Sequence, residues 1–130
     1  MMDEAVPPLG ALDEQAQIFK VLTHPVRIAI LEVLRDGEHC VCHIEACLGL
    51  RQAYISQQLA VLRDGGLVRD RRDGWNIFYH VVDPRIFEAL DIILGMTGQA
   101  PPDFHRAGFY CTCPHCVAER SPGSSNSPVD

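Results

Sequence analysis

Residues 51–82 read RQAYISQQLAVLRDGGLVRDRRDGWNIFYHVV. Ile55, Leu59 and Leu62 stand at i, i+4 and i+7, the inward stripe of an amphipathic helix. Gly65-Gly66 ends that helix. Two extended runs then flank Asp73-Gly74, a dipeptide that favours a tight type I′ hairpin turn. Val68, Ile77, Tyr79 and Val81 are spaced to line the covered face of the hairpin.

Upstream, residues 11–22 have helical spacing, with Leu12, Ile18, Phe19 and Leu22 available for an apolar stripe. Thr23-His24-Pro25 punctuates this segment, and a proline suits the first turn of a new helix. That second helix is expected to run to about Asp36 on Val26, Ile30, Val33 and Leu34, and Asp36-Gly37 stops it. A third spans roughly Val41 to Leu48 and closes at Gly49. Downstream of the hairpin, Asp83-Pro84 opens a last helix over 84–96.

The order helix, short turn, helix, basic hairpin predicts a mainly α winged helix-turn-helix, with about five helices and a small β-hairpin wing. The chain of 130 residues, 47% of them hydrophobic, has enough apolar residues for one core. Residues 1–10 read as a flexible arm, 11–96 as the DNA-binding and dimerisation domain, 97–116 as a linker with a Cys-rich tail segment, and 117–130 as disordered. No internal repeat is present.

The net charge of −6 argues against indiscriminate nucleic-acid binding, but it is unevenly spread. Residues 1–50 hold eight acids against three bases, whereas residues 51–72 hold five arginines against two aspartates. Only the second stretch has the local charge to meet a phosphate backbone. With Ile55 and Leu59 inward, Ala53, Gln57 and Ala60 point most nearly away from the core, with Ser56 and Tyr54 on either flank and Gln52 in the first turn. Small side chains let a helix sit close to base edges, and Gln57 suits adenine. Arg51 stands at the helix start, and Arg69, Arg71 and Arg72 on the wing supply phosphate or minor-groove contacts. One recognition helix gives limited affinity, so a homodimer reading two half-sites of double-stranded operator DNA is expected. The first and last helices are the apolar elements left over, and they are the expected dimer interface.

The N-terminus MMDEAVPPLG carries neither a signal nor a transit pattern, and no run of about 18 apolar residues spans a membrane. These features point to the cytoplasm, where clustered thiols are more often ligands or redox groups than structural disulfides. The six cysteines fall into two clusters, Cys40, Cys42 and Cys47, then Cys111, Cys113 and Cys116. On a helix, Cys40 and Cys42 would point about 200° apart and could not grip one ion. A shared ion therefore requires Cys40 to lie before or at the helix start.

HPVRIAILEVL, EHCVCHI, LGLRQAYISQQLAVLRDGGLV and DGWNIFYHV, in this order over His24 to Val82, resemble the ArsR/SmtB family of metal-sensing repressors. The resemblance implies a homodimer that binds its operator as apo-protein and releases it when a metal or metalloid occupies a sensor site. Cys40 and Cys42 match the two cysteines of the family's third-helix site. His43 stands where the family often has aspartate, and Glu45 where some arsenic sensors have a third cysteine. Residues 83–96 contain no histidine, so the family's last-helix zinc site is not expected.

Soft thiolates select thiophilic ions such as trivalent arsenic or antimony, cadmium, lead, mercury or zinc. Such an ion takes about three or four ligands, and some family members complete the site with a thiol from a chain terminus. Cys111, Cys113 and Cys116 are the expected further donors, and Cys47 reads as a packed core thiol. No organic cofactor is expected. A redox or persulfide sensor on the same scaffold is the alternative input, and a structural zinc held by the tail cluster with His115 is another. The tetrapeptide CPHC resembles thiol oxidoreductase sites, but that chemistry needs a βαβ unit this chain lacks, so it does not read as an enzyme.

Overall fold

The computed structural model describes residues 9–104. Helix α1 (Gly10–Val21) leads into α2 (Pro25–Val33), which tightens into a 3₁₀ turn over Leu34–Asp36. A two-residue strand β1 (His39–Cys40) precedes α3 (Val41–Leu48) and α4 (Gln52–Asp64). The wing strands β2 (Val68–Asp73) and β3 (Asn76–Val81) and the helix α5 (Ile86–Met96) complete the order. This is the expected winged helix-turn-helix, with one strand more than the sequence pattern predicts.

Local chemistry sets most of the boundaries. Pro25 opens α2, and the His24 ring Nδ1 caps it by accepting from the Val26 N–H at 3.2 Å. Gly49 takes the left-handed conformation (φ 67°) that closes α3. The wing turn is shifted by one residue from the expectation. Asp73 pairs with Asn76, so Gly74 and Trp75 are the central residues, and Gly74 takes the positive φ of 63°. The last helix starts two residues late, because the Asp83 side chain accepts the Arg85 N–H at 3.0 Å and holds residues 83–85 in a turn.

Ile30, Leu31 and Val33 of α2, Ile44 and Cys47 of α3, and Ile55, Leu59 and Leu62 of α4 form the centre of the core. Val68 and Tyr79 of the wing join them, with Ile77 and Val81 packed at the edge. The sheet order is β1-β3-β2, so β3 is the central strand, and it carries buried side chains on both faces. Tyr79 faces the main core, while Phe78 on the other face packs with Cys40. The sequence pattern predicts only the first of these faces. The pairing of His39 with Tyr79 and Cys40 with Phe78 produces the second.

Candidate functional site

Helix α4 presents Arg51, at its N-cap, with Gln52, Ala53, Ser56 and Gln57 exposed along one side. Ile55 and Leu59 are fully buried on the other side, as their spacing predicts. Two side chains of this helix are held from below. The Gln58 carbonyl oxygen accepts from Arg27 Nε at 2.9 Å, and the Tyr54 hydroxyl meets His24 Nε2 at 3.2 Å. Neither partner is legible from helical spacing, because each lies about thirty residues upstream.

On the wing, Arg69, Arg71 and Arg72 are exposed, and Trp75 at the tip is 100% exposed. The three arginines are not equivalent. Arg71 donates twice to the Glu38 carboxylate, at 2.7 and 3.1 Å, and lies 4.8 Å over the Phe78 ring. Glu38 raises the Arg71 pKa above its ordinary value. Among the described residues, neither Arg69 nor Arg72 forms an ion pair. Glu38 adjoins β1, so a carboxylate next to the cysteines grips one of the wing's cations.

This clasp makes a measurable difference. Glu38→Gln keeps the shape but leaves the Arg71 charge for the phosphate backbone. Operator affinity is expected to rise roughly 1.5- to fivefold, on the scale of about 0.2–1 kcal/mol for an exposed ion pair. The slope of log K against log salt should steepen by about 1. Fluorescence anisotropy over a salt series reads both quantities, and an unchanged slope means that Arg71 meets no phosphate.

The thiols lie just behind this face. Cys40 is the N-cap residue of α3, with extended backbone (φ −80°, ψ 162°), and Cys42 is in the first turn. The non-helical backbone at Cys40 brings the two Sγ atoms to 2.9 Å, which a continuous helix would not allow. Cys40 is 1% exposed and Cys42 is partly buried. Cys47 is a core thiol, 3% exposed, whose Sγ lies 3.4 Å from His43 Nε2. The His43 ring stacks on His39 at 4.0 Å, and His39 Nε2 is 2.8 Å from Asp36. Among the described residues, no three His, Cys, Asp or Glu side chains converge as a metal site. Cys111, Cys113 and Cys116 lie outside the described residues. Two soft donors at one point suit a thiophilic ion but make only part of a site.

Residues 24–70 match the sequence family described as bacterial regulatory protein, arsR family. A biofilm growth-associated repressor from Agrobacterium fabrum is 40% identical over 90 residues, covering 64% of this chain and 77% of its own. The chain belongs to the ArsR/SmtB family. The transcriptional repressor SmtB of Mycobacterium tuberculosis is 35% identical over 99 residues, 76% of this chain and 71% of SmtB. Among solved structures, the repressor BigR from Xylella fastidiosa matches with a TM-score of 0.63 and 32% identity, over 78% of this chain and all of BigR. A homodimeric winged helix-turn-helix domain from Mycobacterium bovis matches at 0.63 with 27% identity, over 75% of this chain and 97% of its own. The antimony-specific repressor AntR matches at 0.61 with 34% identity, over 67% of this chain and 79% of its own.

As an ArsR/SmtB protein, this chain is a DNA-binding transcriptional repressor and not an enzyme. Among its described residues, no helix is long and apolar enough to cross a membrane. Its exposed α4 face and arginine-bearing wing occupy the two elements through which a winged helix meets DNA.

Proposed function

We propose that this ArsR/SmtB repressor holds operator DNA as a cytoplasmic homodimer and releases it when a thiophilic ion binds Cys40 and Cys42. The ion is of the arsenite or antimonite type, or the cadmium, lead or zinc type, and Cys111, Cys113 and Cys116 supply the remaining donors. The carrying observation is the 2.9 Å approach of the two sulfur atoms at the N-cap of α3. The structural neighbour AntR, named as antimony-specific, supports the same class of effector.

The route from thiol to DNA has two branches. Helix α3 packs against α4, so drawing Cys42 toward an ion in the first turn strains the helix beneath the recognition helix. Strand β1 pairs with β3, so moving Cys40 shifts the wing and the Glu38–Arg71 clasp. A coupling of roughly 1–3 kcal/mol per site is typical of allosteric linkage. X-ray absorption on protein loaded with arsenite or cadmium tests the donor set. Three or four sulfur neighbours are expected. Two would remove the tail cysteines from the site, and none would remove Cys40 and Cys42 as well.

The same short sulfur–sulfur approach favours a second reading, in which a peroxide-class oxidant joins Cys40 and Cys42. The two thiols then give up two electrons and two protons, and the peroxide leaves as water. Thiol counting after peroxide, with and without prior arsenite, separates the readings. Loss of two thiols together with DNA release in metal-free protein would favour the redox input.

A further inference from the structure

His24 is the cap of α2, yet its ring also touches the recognition helix, and the two contacts constrain each other. Nδ1 accepts from the Val26 N–H, so in the neutral ring the proton sits on Nε2. Nε2 therefore donates to the Tyr54 hydroxyl oxygen at 3.2 Å. The hydroxyl is then used as an acceptor on its inner side and keeps its own hydrogen for an acceptor outside. Tyr54 is half-buried in the first turn of α4, next to exposed Gln52, Ala53 and Gln57. The acceptor that this end of a recognition helix meets is a phosphate oxygen of the operator.

A second anchor comes from the same turn of α2. Arg27 donates from Nε to Gln58 and from a terminal nitrogen to the Val21 carbonyl, both at 2.9 Å. Residues 54 and 58 lie one turn apart on α4, so the start of α2 holds that helix at two successive points. The Val21 bond ties the Arg27 anchor to the end of α1.

We propose that His24 is a positioning residue for DNA binding, aiming the Tyr54 hydroxyl at an operator phosphate, with Arg27 and Gln58 fixing the roll of the helix. This inference depends on DNA binding by α4 and not on the thiol site. His24→Asn separates the two jobs of the ring: asparagine is a good N-cap but is too short to reach Tyr54. Tyr54→Phe removes only the hydroxyl.

The test is a double-mutant cycle on operator affinity in metal-free protein, with thermal unfolding measured alongside. Tyr54→Phe is expected to bind operator roughly 10- to 100-fold more weakly, the loss of a hydrogen bond to a charged phosphate, and His24→Asn to lose up to as much. Both should unfold close to the wild-type temperature. The double variant should bind no more weakly than Tyr54→Phe alone, because the histidine acts through the hydroxyl. Unchanged affinity in Tyr54→Phe overturns the proposal. So does an equal loss from His24→Asn whether or not the hydroxyl is present.

Discussion

A Cys40→Ser, Cys42→Ser variant will hold operator DNA like the wild type and will fail to release it when arsenite or cadmium is added. The substitution is nearly isosteric, and serine at the N-cap of α3 brings a hydroxyl that can cap a helix now lacking a side-chain cap bond. That gain, typically about 1 kcal/mol, offsets the cost of burying a hydroxyl where Cys40 is almost fully covered. The fold and the DNA face should therefore survive. What disappears is the soft donor pair, and with it a coupling of roughly 5- to 150-fold in operator affinity per site. Mobility-shift titration at increasing effector concentration measures the change. Release from the variant at wild-type effector concentration would place the sensor elsewhere in the chain.

The second large effect concerns assembly. Among the described residues, none of α1 is buried, and a 12-residue helix is marginal in water unless its apolar face is covered. Leu9, Leu12 and Phe19 are exposed on one stripe of that segment. On α5, Ile92 is 69% and Met96 81% exposed, one turn apart. Beside them lies an apolar hollow of about 300 Å³ lined by Ile28, Ala29, Leu90, Ile93 and Leu94. In the proposed homodimer, the second copy is expected to cover these faces. A Phe19→Asp, Ile92→Asp variant should then sediment as a monomer. Its operator affinity should fall by about two orders of magnitude or more, because the second half-site no longer binds intramolecularly. A variant that stays dimeric with intact operator binding rules out this interface.

The segment that carries the two thiols and the wing are joined more directly than the motifs imply. CVC reads as a ligand pair, and DRRDG as a basic turn. Glu38 beside the first and Arg71 within the second become one ion pair only when β1 lies down on β3. The arginine that sequence reasoning assigns to DNA is thus also the one held by a carboxylate next to the thiols. Gln58 follows the same pattern. Its side chain is polar and sits on a helix that presents glutamines to solvent, yet it is buried and satisfied by Arg27.

Periodicity and punctuation alone determined the helices, the wing, the inward stripe of α4 and its outward polar face. These depend on repeats of about 3.6 and 2 residues and on turn chemistry within a few positions. The sequence alone also required Cys40 to leave the helix if the thiols were to meet, since the angle between i and i+2 is a property of the helix itself. Only the tertiary structure decided the third strand, the second buried face of β3, the Glu38 clasp and the His24–Tyr54 bond. Each joins residues thirty or more positions apart, and such contacts leave no periodic trace. They form only when the elements pack against one another, which buries apolar side chains such as Phe78 and pairs polar groups such as those of His24 and Tyr54.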